Sequence, residues 1–130
     1  MWTEASSRIL IVDNDKEFRC SLQKTLRKAG YRVATASGGR GARKKLNANI
    51  FPIILLDLST PDFSGLKILR EILRKSPETK VLVLTADDDP GMTQKALQAG
   101  AFGLLKKPVK REALLYNIKL ALDQLIEWQE

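Results

Sequence analysis

Histidine is absent from this 130-residue chain, and cysteine occurs only once. The lack of histidine excludes a phosphohistidine formed on this chain, a histidine general base and any histidine-ligated metal. The single cysteine, Cys20, cannot form a disulfide within the chain, and this favours a reducing cytoplasm. We expect its thiol to be buried on a helix, as free cysteines commonly are.

Long apolar runs are also missing, since none approaches the roughly 18 residues that can span a membrane. Residues 1–7 do not have the apolar centre of a signal peptide. Apolar residues make up 44% and charged residues 28%, which is ordinary for a globular protein of one domain. The sequence therefore predicts a cytoplasmic protein that makes no membrane contact.

Acidic residues are fewer than basic ones, 15 against 22, and the net charge is +7. Such an excess raises the question of nucleic-acid binding. The basic residues, however, are spread over several predicted helices, where charges are usually solvated. No helix-turn-helix, zinc-finger spacing or aromatic stacking platform accompanies them. We therefore predict no direct nucleic-acid binding by this domain.

Four short segments that read as strands end at a polar side chain. Runs rich in Val, Ile and Leu are typical of strands buried on both faces of a parallel sheet. In such sheets, ligands gather at the carboxyl ends of the strands. The four segments and the polar residues that end them are 9–12 with Asp13, 53–56 with Asp57, 81–84 with Thr85, and 103–106 with Lys107.

Strands alternate with amphipathic helical segments along the whole chain. Helices are predicted over about 16–29, 39–48, 65–75, from 87–90 to Gly100, and 110–129, with a further strand over 32–36. The apolar side chains expected to face the core are Phe18, Leu22 and Leu26 in the first helix, Leu66, Leu69, Ile72 and Leu73 in the third, and Leu114, Ile118 and Ala121 in the last, whose end from Leu125 to Trp128 is expected to extend past the body of the domain. Five such units predict a doubly wound, flavodoxin-like α/β domain with helices on both faces of the sheet. The expected strand order is 2-1-3-4-5, which places the switch point between the strands that end at Asp13 and Asp57.

The side chains expected at this edge are suited to phosphoryl chemistry. Neighbouring carboxylates repel each other unless a cation joins them. Mg²⁺ suits such a pair, because it binds one or two carboxylates, several waters and phosphate oxygens. Asp57 is the carboxylate that we expect to act as nucleophile, with the Lys107 ammonium and the Thr85 hydroxyl beside it.

The motifs resemble the receiver domain of two-component response regulators over nearly the whole chain, from about Arg8 to Leu125. They occur in the order and spacing of that family. The matching segments are Ile-Val-Asp-Asn-Asp at 11–15, Asp57 followed by Pro61 and Gly65, Thr85-Ala86, and Gly100-Ala101 leading to Lys107-Pro108.

The resemblance implies a role for each polar residue at the carboxyl ends of the strands. Asp57 is the phosphoacceptor, and Thr85 and Lys107 bind the phosphoryl oxygens. Mg²⁺ is held by side chains and by a backbone carbonyl of the Leu58–Ser59 region, so the implied metal-binding residues are Asp13, Asn14, Asp57 and Ser59.

Further expectations from the resemblance concern switching. Ser59 and Asp87 would lie over the phosphoryl group and could hydrogen-bond an attacking water, so loss of the phosphoryl group is not expected to be blocked. Thr85, Ala86 and Leu104 belong to the implied switch region. The Lys107–Pro108 peptide bond is expected to be cis.

Two departures from the family pattern affect these expectations. Asn14 stands where the family often has a second acidic metal ligand, which predicts weaker metal binding, and Asp15 is expected to cap the following helix. Leu104 stands where an aromatic residue usually swings inward on activation. The usual coupling between that aromatic and Thr85 therefore cannot operate. A smaller departure is Thr60, where methionine is common.

By resemblance, the expected function is a phosphoacceptor switch that receives its phosphoryl group from a sensor histidine kinase or a histidine phosphotransfer protein. The domain would catalyse its own phosphorylation and dephosphorylation while acting mainly in signalling. The readout is expected on the face of the fourth helix, fifth strand and fifth helix, through an output domain or a homodimer. We divide the chain into an extension (1–7), a receiver domain (8–126) and a helix end or linker start (127–130).

Three alternatives remain at this point. Asn14 and Leu104 are compatible with a docking module that no longer depends on phosphorylation, although retention of Asp13, Asp57, Thr85 and Lys107 argues against it. The Asp13-Asn14-Asp15 segment resembles the nucleophile motif of haloacid-dehalogenase-type phosphatases, but Glu17 does not fit that motif. Gly39-Arg40-Gly41 lacks the third glycine and the first-strand position of a nucleotide-binding loop.

Overall fold

The computed structural model describes residues 8–59, 64–86 and 90–129, with side chains up to residue 125. Five strands and five helices alternate within these residues. They are β1 (Arg8–Val12), α1 (Lys16–Lys28), β2 (Arg32–Ala36), α2 (Gly39–Ala48), β3 (Ile53–Asp57), α3 (Gly65–Lys75), β4 (Lys80–Thr85), α4 (Pro90–Gln98), β5 (Gly103–Lys106) and α5 (Arg111–Gln129).

The five strands form one parallel sheet in the order β2-β1-β3-β4-β5, which confirms the predicted topology. Residues of each strand alternate between two cores, because successive side chains point to opposite faces. Ile9 and Ile11 of β1 pack with α1 and α5, whereas Leu10 and Val12 pack on the side of α2, α3 and α4. Both faces of the sheet are therefore covered by helices, as predicted.

The apolar faces of two helices agree with the sequence only in part. In α3 the prediction was Leu66, Leu69, Ile72 and Leu73, but Ile68 is buried while Leu66 and Leu73 are only half-buried. The reason is the close contact of Gly65 with Leu58, which turns the stripe of residues 65, 68, 69 and 72 toward the sheet. In α5 the predicted core residues Leu114, Ile118 and Ala121 are buried. The prediction that the helix extends past the body of the domain from Leu125 onward was wrong at Leu125, which is buried in the same core, and the Trp128 side chain lies outside the described residues.

The prediction that Cys20 is buried was wrong, because its side chain is exposed on α1. The buried residues of that helix are Leu22 and Leu26. Each residue of an α-helix turns by about 100°, so a position two residues before Leu22 lies on the opposite side. Phe18, which was predicted to face the core, is half-buried and packs against it.

The predicted ends of α1 are present. The Asp15 side chain accepts a hydrogen bond from the Phe18 amide at 3.2 Å and so caps the helix. Gly30 has a φ of 97°, a left-handed conformation that favours glycine after a helix. In the part of the chain that the structure describes, no helix is long and apolar enough to cross a membrane.

A surface ion pair between α2 and α3 leads to a prediction about pH. Arg43 Nε lies 3.0 Å from Glu71 Oε2, and this hydrogen bond holds the pKa of Glu71 below its ordinary value of 4.5. A lowered carboxylate pKa stabilises the fold above the unfolded pKa, and the effect disappears as the pH falls through the folded pKa. Glu71→Gln should therefore lower the free energy of unfolding by less than about 1 kcal/mol at pH ~7. Denaturant unfolding of this variant and of the exposed control Glu78→Gln, at neutral and acid pH, measures the effect; a loss that grows on acidification would contradict it.

Candidate functional site

Two carboxylates lie at the carboxyl ends of neighbouring strands. Val12 and Leu56 are paired across β1 and β3, so Asp13, the residue after β1, and Asp57, the last residue of β3, lie side by side. Asp13 is fully buried and Asp57 is 5% exposed. Burial of two like charges is costly unless a cation accompanies them, so this pair needs positive charge close by.

The Lys107 ammonium provides positive charge to both carboxylates. Its Nζ atom lies 2.8 Å from Asp13 Oδ2 and 3.4 Å from Asp57 Oδ2. The two carboxylate oxygens can therefore be no farther apart than the sum of these distances. The Lys107 backbone amide donates to the Thr85 carbonyl at 2.8 Å, which ties the end of β5 to the end of β4. The Lys107–Pro108 peptide bond is cis, in line with the expectation.

The electrostatic setting keeps Lys107 charged. Burial lowers its pKa, but the close contact with Asp13 and the charges of Asp57 and Asp13 outweigh burial, so that the pKa is raised above its ordinary value of 10.5. A lysine with a raised pKa stabilises the fold below its unfolded pKa, and this stabilisation is lost only as the pH rises through the folded value. The ammonium and its charge neutralisation are therefore present throughout the neutral range.

Each oxygen of Asp57 has a different environment. Oδ1 accepts hydrogen bonds from the Ser59 amide at 3.0 Å and from the Ser59 hydroxyl at 2.8 Å. Oδ2 faces Lys107. Hydrogen bonds from a neighbouring amide and hydroxyl fix the plane of the carboxylate, so the side chain is held in one orientation toward the site.

Asp13 has an oxygen whose bonding is incomplete. Oδ1 accepts from the Asp15 amide at 2.8 Å, whereas the buried Oδ2 accepts no well-directed hydrogen bond within the described residues, although Lys107 lies beside it. A buried carboxylate oxygen without a directed donor favours the approach of a cation. Two adjacent carboxylates supplemented by backbone oxygen and water are the type of ligand set that Mg²⁺ uses, so the residues fit this ion.

Few negatively charged side chains are placed to bind a metal ion at this site. Among the described residues, no group of three or more histidine, cysteine, aspartate or glutamate side chains could hold a metal ion. Asn14 follows β1 as an exposed residue, and Asp15 is engaged in capping α1. In the described part of the chain, Asp13 and Asp57 are therefore the carboxylates available as ligands at this edge.

The remaining predicted residues lie around the end of β4. Thr85 is half-buried as its last residue, and Ala86 is exposed directly after it. Leu104 is half-buried on β5. With Thr85 and Leu97 it lines a cavity of about 440 Å³ between α4 and β5. Asp87, together with the predicted loop residues Thr60 and Pro61, lies outside the described residues.

Two residues of α1 belong to the site although the sequence analysis did not assign them to it. The Lys107 ammonium lies 4.4 Å from the centre of the Phe18 ring, which is cation–π distance. Arg19 Nη1 donates to the Asp13 carbonyl at 2.7 Å. Their position in the first turn of α1, directly after the loop that follows Asp13, is the sequence feature that indicates a place near the site. The helical pattern, however, predicted only that Phe18 packs in the core.

A family model and the sequences of known proteins assign this chain to the same family. The model of the response regulator receiver domain matches residues 9–119. The transcriptional regulatory protein ZraR of Klebsiella oxytoca is 35% identical over 114 residues, which cover 88% of this chain and 26% of ZraR. The C4-dicarboxylate transport transcriptional regulatory protein DctD of Rhizobium meliloti is 28% identical over 120 residues, which cover 92% of this chain and 26% of DctD. The chain thus spans about a quarter of the length of these relatives.

Solved structures agree with this result. A CheY-like receiver domain protein from Methanospirillum hungatei has a TM-score of 0.90 at 30% identity, covering 94% of this chain and 98% of that one. The chemotaxis protein CheY4 of Vibrio cholerae has a TM-score of 0.84 at 32% identity, covering 90% and 99%. The chain belongs to the response regulator receiver domains, the phosphoacceptor domains of two-component signalling.

Proposed function

We propose that Asp57 is the residue that accepts the phosphoryl group, and that Asp13, Lys107 and Thr85 assist it. The observation that carries the proposal is the convergence of Asp13 and Asp57 on one ammonium, within 2.8 Å and 3.4 Å. Asp57 is the more accessible carboxylate of the two, and its Oδ1 is oriented by Ser59. An oriented carboxylate next to a fixed cation is suited to attack phosphorus.

The transfer would begin from a phosphohistidine of a partner protein, since this chain has no histidine. A carboxylate oxygen of Asp57 attacks phosphorus, an O–P bond forms, and the P–N bond breaks with its electron pair remaining on the imidazole nitrogen. Lys107 would hold one oxygen of the transferred group, and the Thr85 hydroxyl would donate to another. The partner would be a sensor histidine kinase or a histidine phosphotransfer protein.

Mg²⁺ would be held by Asp13, Asp57, Asn14 and the backbone carbonyl of Ser59. When bound, it supplies charge neutralisation for the phosphoryl oxygens. Asn14 adds an amide oxygen but no charge. We therefore propose weaker Mg²⁺ binding than a third carboxylate in this position would give.

The output would depend on the surface near Thr85. Movement of Thr85 and Lys107 toward the new phosphoryl charge would shift a pre-existing equilibrium between two conformations of the neighbouring loops. The cavity between α4 and β5 borders Thr85, and Leu104 lines it. We propose that the face of α4, β5 and α5 transmits the change, with Leu104 in place of the usual aromatic residue. ZraR and DctD are transcriptional regulatory proteins, so a linked transcriptional output domain is a reasonable partner for this face.

The direct test is the intact mass of the protein after incubation with acetyl phosphate or phosphoramidate. We expect one phosphoryl adduct that forms with Mg²⁺ and does not form when a chelator is added. Peptide mapping should assign the adduct to Asp57. If no adduct forms even at high Mg²⁺ concentration, the proposal is wrong and a docking module independent of phosphorylation becomes the better explanation.

Ser59 should influence the lifetime of the acyl phosphate. Its hydroxyl lies 2.8 Å from Asp57 Oδ1 and could also orient an attacking water. Loss of one hydrogen bond worth about 1 kcal/mol would make Ser59→Ala lose its phosphoryl group roughly fivefold more slowly. A chase followed by intact mass measures the half-life, with Thr25→Ala as control, because it removes a hydroxyl of α1 that donates to the Ser21 carbonyl. A half-life equal to or shorter than that of the unaltered protein would refute this role.

A further inference from the structure

Two arginines lie next to each other at the amino-terminal ends of β1 and β2, which is the end of the sheet opposite Asp57. Arg8 is the first residue of β1 and Arg32 is the first residue of β2, and the two are direct partners in the parallel register. Both are exposed. Side chains of residues two apart in a strand share a face, and Leu10 and Ala34 pack on the side of α2. The two guanidinium groups therefore extend over the same face, toward α2.

A cavity of about 290 Å³ lies at this point. Three of its lining residues are cations and none is acidic. It is lined by Arg8, Arg32, Val33, Ala34, Lys45, Asn49 and Phe51. A volume of this size is close to the lower limit of small-ligand pockets, so it suits a compact ligand.

One of the cations is already held in position. Arg8 Nη1 donates to Asn49 Oδ1 at 2.8 Å, which connects β1 to the end of α2. Within the side chains that the structure describes, Arg8, Arg32 and Lys45 make no ion pair with a carboxylate. By contrast, Arg43 on the same helix as Lys45 pairs with Glu71 at 3.0 Å.

The arrangement has an energetic cost that an anion would offset. Like charges directly opposite each other on neighbouring strands are destabilising. Lys45 lies in the last turn of α2, where the helix dipole favours a cation. Arg8 and Arg32 begin strands, so the helix dipole does not explain them.

We propose that this pocket binds a phosphate group, either free or as part of a small phosphorylated ligand. Guanidinium groups match the geometry of phosphate oxygens and bind them by paired hydrogen bonds. Lys45, which also lines the pocket, adds a third charge from α2. Ala34 and Phe51, which pack on the same face as the two arginines, provide apolar surface for the rest of a small ligand. The site lies at the end of the sheet away from Asp57 and does not depend on phosphoryl transfer there.

The experiment is an amide ¹H–¹⁵N NMR titration of the whole chain with inorganic phosphate and, separately, with adenosine monophosphate. Chloride keeps the ionic strength constant, and Mg²⁺ is omitted. We expect saturable shifts centred on residues 8, 32–34, 45 and 49. Arg32→Gln should weaken binding at least tenfold, whereas Arg74→Gln, which removes an exposed cation from the end of α3, should not change it. The spectra also report whether both variants are folded.

The two ligands distinguish the possible sources of the phosphate. Equal affinity indicates a site for the free anion, and tighter binding of the nucleotide indicates a site for a phosphorylated small molecule; either result supports the pocket. Shifts that do not saturate, that centre on Lys107, or that weaken equally in both variants would overturn the proposal. A third titration with duplex DNA tests a polyelectrolyte surface: binding of DNA without saturable binding of phosphate would also overturn it.

Discussion

Asp57→Asn should acquire no phosphoryl adduct from acetyl phosphate and Mg²⁺ under conditions in which the unaltered protein acquires one. The amide has nearly the shape of the carboxylate, and its oxygen can still accept the hydrogen bonds that Ser59 directs at Oδ1. What the change removes is the anionic nucleophile. Among the described residues the other carboxylate beside Lys107 is Asp13, which is fully buried, so the loss should be complete rather than partial. Intact mass over the same time course measures it.

The fold should tolerate this substitution, which separates loss of chemistry from loss of structure. Asp13 and Asp57 both contact the Lys107 ammonium, and removal of one negative charge lessens repulsion within this buried pair. We expect the free energy of unfolding of Asp57→Asn to be equal to or slightly above that of the unaltered protein. Asp123→Asn, at an exposed position that pairs with Lys119 at 3.5 Å, is the matched control and should be phosphorylated normally. An adduct of undiminished yield in Asp57→Asn would exclude Asp57 as the acceptor.

Much of this site could be predicted because parallel topology converts order along the chain into proximity. A strand rich in β-branched and aliphatic residues is recognisable from a short segment, and the residue that ends it must lie at one edge of the sheet. Asp13 and Asp57 could thus be placed side by side without any knowledge of distances. Lys107 followed from the same rule applied to β5, and the structure places its Nζ within 3.4 Å of both carboxylates.

What could not be predicted depends on the rotation of helices and on contacts between distant segments. The stripe of α3 differs from the prediction because Gly65 packs against Leu58, a contact that hydrophobic periodicity does not contain. Phe18 was expected only in the core, and its position beneath Lys107 depends on how α1 lies over the sheet. Arg8 and Arg32 are 24 positions apart in the sequence, and only the strand register makes them partners.

Gly65→Ala should destabilise the protein and slow phosphoryl uptake at the same time. A Cβ atom at this position would lie 2.5 Å from Leu58 Cα and 2.7 Å from Leu58 O, which are backbone atoms that no rotamer change can move. We expect a loss of about 1–3 kcal/mol in the free energy of unfolding, the usual cost of overpacking. Leu58 lies between Asp57 and Ser59, so displacement of its backbone also disturbs the hydrogen bonds to Asp57 Oδ1. Because misplacement by about 1 Å can cost a factor of 10² in rate, a tenfold or greater slowing of uptake is expected.

Gly41→Ala is the matched control, because it makes the same chemical change in a helix where space is available. Its Cβ would meet Ala36 Cβ at 3.4 Å, an ordinary contact. Alanine in place of glycine within a helix should raise the free energy of unfolding by up to about 1 kcal/mol. Denaturant unfolding should therefore show Gly41→Ala to be more stable than the unaltered protein, whereas Gly65→Ala is less stable. The rate of adduct formation should be unchanged in Gly41→Ala. If Gly65→Ala behaved like Gly41→Ala in both measurements, the contact with Leu58 would not be what positions the loop beside Asp57.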